Sequence, residues 1–315
     1  MTGDVVVTAD GQSLGNSVYA TGSYYGYASG VANAYGNLTG DSGVSVGGDV
    51  TVDAVAVSSS NEVITSYYSA EAYASANAAG VFSANDGSID LSGDVTVNAD
   101  AQSINNSITV VGSESAVGYG YADADLSIDG EDGVLIGGDL EVGATARTSN
   151  NMFSAAESYA SASASADVVS ESGTIDITGV FSVEADAQSY SNEVYASNDA
   201  DAGASADAAG YLTGQKGVSV GGVEVIANAI SSNNIATASS NGTATAGAYA
   251  SAEFYGSASD GAVTVAGDVE LSAVAQSTGN YGAAYGSYAY VNANANAYGM
   301  LTGANGVTGI RWSRC

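Results

Sequence analysis

Gly48-Asp49-Val50-Thr51-Val52-Asp53-Ala54-Val55-Ala56-Val57-Ser58-Ser59-Ser60-Asn61-Glu62-Val63 is the stretch that decides the fold. Positions 50, 52, 54, 56 and 58 read Val, Val, Ala, Ala, Ser, while 51 and 53 are Thr and Asp. Strict alternation predicts a β-strand with one face inside and the other in solvent. The inward face runs from large apolar to small to hydroxyl. That taper is expected of a strand leaving a narrow core for a corner.

The frame recurs. Gly93-Asp94-Val95-Thr96-Val97-Asn98-Ala99-Asp100-Ala101-Gln102-Ser103 repeats it, as do Leu140, Val142, Ala144, Ala146, Thr148 and Phe181, Val183, Ala185, Ala187, Ser189. Each copy ends on an asparagine: Asn16, Asn61, Asn106, Asn151, Asn192, Asn234 and Asn280, spaced 45, 45, 45, 41, 42 and 46 residues apart. Such a period marks a stacked array whose layers bury one another. Thr51, Asp53, Asp100, Gln102, Glu184 and Gln188 form the opposite, solvent face.

The second half of each repeat also alternates. Ala160, Ala162, Ala164 and Ala166 interleave with Ser161, Ser163, Ser165 and Asp167. Alanine favours helix by intrinsic propensity, but no 3.6-residue stripe is present, so the period predicts strand. Leu38-Thr39-Gly40-Asp41-Ser42-Gly43-Val44 recurs at Leu212–Val218 and Leu301–Val307, with two glycines three apart expected to supply positive φ at a tight corner. The chain has no proline, as continuous strands that use every backbone donor require.

These features predict an all-β, elongated β-solenoid over residues 1–305: seven tandem repeats, parallel stacked strands and an inward-facing asparagine ladder. Each amide is expected to donate to the carbonyl of the next coil. A carboxylate ladder there would be repulsive. One repeat is either one wide coil or two coils of about 22 residues. Residues 306–315 are expected to be an interrupted repeat or a non-native tail. Gly309-Ile310-Arg311-Trp312-Ser313-Arg314-Cys315 stands where the next Gly-Val-x-Val-Gly-Gly should read. Met1 leads straight into Gly3-Asp4-Val5 without a signal peptide, which points to a fragment.

Composition removes several function classes. The net charge is −30, with 34 acidic and 4 basic residues, so neither nucleic acid nor anionic lipid is an expected partner. No apolar run is long enough for membrane insertion as a helix. Histidine is absent, which rules out Ser-His and Cys-His dyads and removes the usual zinc ligands. Asp4, Asp49, Asp94, Asp139 and Asp268 recur at the same strand start in five of the seven repeats, the behaviour of a structural group rather than a unique active site. The chain is therefore expected not to be an enzyme and to need no cofactor. Calcium is the one metal to consider, with Asp129, Glu131 and Asp132 as weak candidate ligands in an acidic turn. The 21 tyrosines supply candidate surface contacts at Tyr24, Tyr25, Tyr67, Tyr68, Tyr285 and Tyr288, by stacking along the array or on sugars.

The repeated Val-x-Val-x-Ala-x-Ala pattern, with Gly-Asp ahead and Asn behind, resembles the β-solenoid repeats of bacterial surface adhesins of the filamentous-haemagglutinin and autotransporter-passenger kind. That resemblance implies an extracellular or cell-surface protein serving attachment or biofilm, as stalk and as scaffold contacting polysaccharide or a surface. Gln12-Ser13-Leu14-Gly15-Asn16, Gln102–Asn106, Gln188–Asn192 and Gln276–Asn280 are similar to the repeats of curlin-type fibre subunits and holdfast-anchoring proteins. This second likeness implies a fibre-forming subunit that associates end to end. An ice-binding solenoid is a lower alternative, because regular Thr-x-Thr rows are missing.

Overall fold

A computed structural model describes residues 1–20, 25–65, 70–110, 116–154, 156–196, 199–239, 242–285, 288–309 and 311–312. The second repeat shows the unit. Val50–Ser59 runs along a broad sheet, the chain turns at Asn61, and Glu62–Thr65 forms a short strand on a second sheet. Ala70–Ala84 then runs back along a third, broad sheet, and Ser88–Leu91 returns to the first. The next repeat starts again on the first sheet, Val50 pairing in parallel with Val95. One repeat is therefore one wide coil, not two narrow ones.

Stacking is in register from the first coil to the seventh, with one local shift. Val5 pairs with Val50, Val95 with Leu140, Leu140 with Phe181, Phe181 with Val223 and Val223 with Val269, all in parallel. Register survives the shorter repeats because most of the changes in length fall outside the paired strands. Where the sixth repeat has Gly221-Gly222 opposite Thr178-Gly179-Val180 of the fifth, a register shift between Ile177 and Val180 absorbs the one-residue difference. The alanine-rich halves are strands, as their period requires: Ala156–Ser170 pairs along its length with Ala116–Gly130 and Ala200–Gly214.

The interior lies between the two broad sheets and is wedge-shaped. Phe82, Leu126, Phe181 and Phe254 fill the wide part, whereas Ala54, Ala56, Ala74 and Ala76 are fully buried toward the asparagine corner. At the narrow end the sheets meet almost backbone to backbone. A Cβ added at Gly30 would lie 2.3 Å from the Val57 carbonyl oxygen. Only glycine fits at that position, and its register partner in the next coil is no larger than Ala74. Serines tie the sheets together there. Ser58 Oγ donates to the Ala28 carbonyl at 3.1 Å and Ser103 Oγ to that of Ala72 at 3.2 Å, each reaching one coil back.

The turn glycines divide their work, contrary to the expectation that both supply positive φ. Gly43 and Gly306 do, at 129° and 101°. Gly40 and Gly303 do not; a Cβ there would come within 2.3 and 2.4 Å of the Gly43 and Gly306 carbonyl oxygens. The first glycine is needed for space and the second for conformation. Beyond residue 305, Val307 and Thr308 pair with Val263 and Thr264, and Arg311 and Trp312 with Asp268 and Val269. These four residues continue the solenoid register.

Candidate functional site

The asparagine corner is a buried, one-directional ladder. Asn61, Asn106, Asn151, Asn192 and Asn234 are at most 1% exposed, whereas Asn16 and Asn280 lie in the first and seventh coils and are more open. The Oδ1 of each asparagine accepts the backbone N–H of the marker one coil back. Asn61 N–H donates to Asn106 Oδ1 at 3.1 Å, Asn106 N–H to Asn151 Oδ1 at 2.9 Å, and Asn192 N–H to Asn234 Oδ1 at 2.9 Å. The Nδ2 donates back as well: Asn106 to the Ser58 carbonyl at 3.0 Å, Asn151 to that of Ser103 at 2.8 Å. Both halves of the amide are thus used on the coil before, as a buried polar group requires. The residue ahead of each marker is in left-handed geometry: Gly15, Ser60, Asn105, Asn150, Ser191, Asn233 and Gly279, with φ from 51° to 64°. The sequence carried this signal in the restriction to Gly, Ser and Asn at that position.

A second ladder runs along the exposed Gly-Asp bend, and its carboxylates are not excluded by repulsion. Asp4 Oδ1 accepts the backbone N–H of Asp49 at 3.1 Å, Asp49 Oδ1 that of Asp94 at 3.0 Å, and Asp94 Oδ1 that of Asp139 at 2.9 Å. Each carboxylate answers a backbone donor and faces water, so stacking like charges is tolerable here. The glycine in Gly-Asp is explained by the same contact. A Cβ at Gly93 would sit 2.2 Å from Asp49 Oδ1, and one at Gly138 would sit 2.0 Å from Asp94 Oδ1.

The glutamines do not join the asparagine ladder. They lie on the outer face of the first broad sheet, where Gln102 Nε2 and Gln188 Nε2 donate to Asp100 and Asp186 two residues earlier, at 3.0 and 2.6 Å. Arg147 donates to Gln188 Oε1 at 2.8 Å from the adjacent strand. Burial raises the Asp100 and Asp186 carboxyls, opposed by these glutamine hydrogen bonds and by the Arg147 charge.

Of the tyrosines singled out from the sequence, Tyr25, Tyr285 and Tyr288 are 55%, 71% and 68% exposed. Tyr24, Tyr67 and Tyr68 lie outside the described residues. Tyr25 stacks on Tyr27 at 5.9 Å and Tyr288 on Tyr290 at 6.0 Å, and two further groups lie on the outer face of the third sheet. Tyr211 stacks on Tyr255 at 5.4 Å with ring planes 2° apart, and Tyr255 meets Tyr298 at 5.4 Å. A second group, Tyr73, Tyr119, Tyr121 and Tyr159, lines an open groove of about 490 Å³ together with Glu71, Ser75 and Ser161. Sequence reasoning missed this group because the columns form only when repeats of unequal length are placed in register. Carboxylates border it: burial and then neighbouring Asp125 raise the Asp123 carboxyl, and the Tyr121 hydroxyl donates to Asp123 at 3.3 Å.

Asp129 and Asp132 are exposed and Glu131 is half-buried at the outer turn. The Glu131 carbonyl accepts from Ser172 N–H and Oγ, and Asp132 Oδ1 accepts from Ser172 Oγ at 3.3 Å. Among the described residues no three His, Cys, Asp or Glu side chains come together as a metal-binding set. No helix among them is long and apolar enough to cross a membrane. No protein-family model matches the chain, and no curated protein or solved structure is similar to it.

Proposed function

We propose that this chain is a non-enzymatic structural segment of a bacterial surface protein, a stiff acidic rod that holds tyrosine-bearing faces toward a polysaccharide or a surface. The observation that carries this reading is the in-register stack, in which every interior coil is hydrogen-bonded to its neighbours through the sheets and the asparagine corner, and the first five coils also through the aspartate bend. Such layering makes length and stiffness rather than an enclosed pocket. The groups on its outer faces repeat or vary from coil to coil, as suits a contact surface. The −30 charge keeps rods apart in solution. Secretion to the cell surface follows from that role and belongs to the same proposal.

Electron microscopy of the purified chain tests it. Dispersed rods of uniform length are expected. Long unbranched fibres would instead make the protein a self-assembling subunit.

A further inference from the structure

The outer face of the third sheet carries two tyrosine groups with opposite character. In Tyr211 and Tyr255 the rings cover each other in adjacent coils, which is how tyrosines behave when they stabilise a sheet. Tyr121 is placed differently. Its register neighbours are Ser75 in the coil before and Ser161 in the coil after, side chains too short to cover a phenol ring. Its hydroxyl is steadied by Asp123 in the same strand. Tyr119, paired with Tyr159, and Tyr73 wall the same groove. An aromatic platform is thus left open beside two serine hydroxyls instead of being spent on stacking.

Charge selects what can lie there. The strands of this sheet contain no lysine or arginine; Arg147, Lys216, Arg311 and Arg314 all lie elsewhere in the chain. Glu71 lines the groove, and Asp123 and Asp125 follow Tyr121 along its strand. Burial and mutual repulsion hold the Asp123 carboxyl above its ordinary range, so this border lacks a countercharge. A polyanion would be repelled. An occupant with regularly spaced amines would gain from both the carboxylates and the electron-rich ring faces.

We infer that the groove lined by Tyr73, Tyr119, Tyr121 and Tyr159 binds a linear polysaccharide bearing free amino groups, its sugar rings stacked on Tyr121 and its ammonium groups set against Glu71 and Asp123. The flat open ring and flanking hydroxyls favour a sugar over a basic peptide, whose side chains need no such platform. This inference rests on the scaffold reading and gives that scaffold a ligand class.

Calorimetry on the full chain at low salt tests it with four oligomers of equal length: deacetylated glucosamine, its fully N-acetylated form, a uronate and lysine. The glucosamine oligomer is expected to bind at least about tenfold more tightly than the acetylated one, from the cation–π and ionic contributions together. The uronate should not bind. Tyr121→Ala should weaken glucosamine binding by about tenfold with an unchanged circular-dichroism spectrum, as an outward aromatic contact would. Tyr255→Ala, in the self-covered stack, should leave binding unchanged. Absence of binding, equal binding of the acetylated or uronate oligomer, tighter binding of oligolysine, or undiminished binding by Tyr121→Ala would each overturn the assignment. Microscopy of the same sample keeps the two readings apart. Dispersed rods that bind no amino sugar remove the ligand alone, whereas fibres remove the rod.

Discussion

Asn106 and Asn151 are joined head to side: the backbone N–H of Asn106 donates to Asn151 Oδ1 at 2.9 Å, while Asn106 sends its own Nδ2 back to the Ser58 carbonyl at 3.0 Å. With Asn106 Oδ1 accepting Asn61 N–H at 3.1 Å as well, the one Asn106 amide serves two backbone groups of the preceding coil, and no other side chain of that length offers an acceptor and a donor in this geometry.

Replacing Asn106 by Ala leaves Asn61 N–H and the Ser58 carbonyl without their partner in a buried corner. The expected loss is about 1–3 kcal/mol for each group left unpaired. Asn106→Asp keeps the acceptor, loses the donor and buries a charge, for about 3–5 kcal/mol at neutral pH. The deficit of the Asp variant should shrink on acidification, because a protonated carboxyl can donate again. Asn16→Ala, in an exposed coil, should cost under about 0.5 kcal/mol. Denaturant midpoints of the three variants check the series; equal losses at Asn16 and Asn106 would contradict the ladder.

The residue before each marker carries backbone strain that can be removed. Ser60 has φ 56° and Asn105 φ 54°. Left-handed geometry costs an ordinary residue about 1–2 kcal/mol, and less for asparagine. Glycine escapes that cost but loses about 0.5–1 kcal/mol of chain entropy on folding. Ser60→Gly is therefore expected to stabilise by up to about 1 kcal/mol, Asn105→Gly to change stability little, and Ser60→Val to destabilise by ~2 kcal/mol or more. Thermal melts of the three variants give the order directly.

How much of this was legible beforehand follows from the physics of each feature. Val50, Val52, Ala54, Ala56 and Ser58 announce a strand because side chains alternate between faces whatever the tertiary context. The fixed interval from Asn61 to Asn106 announces stacking, because a parallel in-register sheet requires it. The width of the coil was not legible: alternation is the same for one wide coil or two narrow ones, and only the pairing of Val50 with Val95 decides. Gly40 was assigned to conformation when its constraint is the Gly43 carbonyl, a contact made three residues away by a chain folding back. The Tyr121 groove was hidden for a similar reason. It depends on Ser75 and Ser161, which are neighbours only after the 46- and 40-residue offsets of these coils are applied.

Gly93 and Asp49 form a coupled pair. A Cβ at Gly93 would come 2.2 Å from Asp49 Oδ1, which accepts Asp94 N–H at 3.0 Å. Gly93→Ala should therefore cost about 1–3 kcal/mol through overpacking and displacement of the carboxylate. Asp49→Ala should cost about 1 kcal/mol by leaving an exposed N–H to water. With the carboxylate gone the nearest clash is relieved while the Gly48 carbonyl oxygen still lies 2.7 Å from the methyl, so the double variant should be less damaged than the sum by about 0.5 kcal/mol or more but not restored. A double-mutant cycle in urea measures this coupling; simple additivity would mean that the glycine serves another purpose.

Acidity should stabilise this protein where it weakens most. Burial first, and then neighbouring carboxylates, raise Asp123, Asp167 and Glu184 above their ordinary range; burial also raises Asp207, with the charge of Glu253 adding to it and a hydrogen bond from Ser205 opposing it. A carboxyl raised on folding binds more protons in the native state than in the unfolded one, so stability increases as pH falls through its native range. The gain is complete once pH drops below the unfolded value, near the 3.8 of a free Asp. Lowering the net charge of −30 acts in the same direction. The Tm is thus expected to rise on going from pH 7 toward the upper carboxylate range, and added salt at pH 7 should reproduce part of the rise by screening. Asp123→Asn, which removes one of the raised groups, should raise the Tm at pH 7 and flatten the pH dependence. Melting curves between pH 7 and 4 decide the matter, and a Tm that falls steadily with pH would show that the carboxylates on these faces are stabilised by folding rather than strained by it.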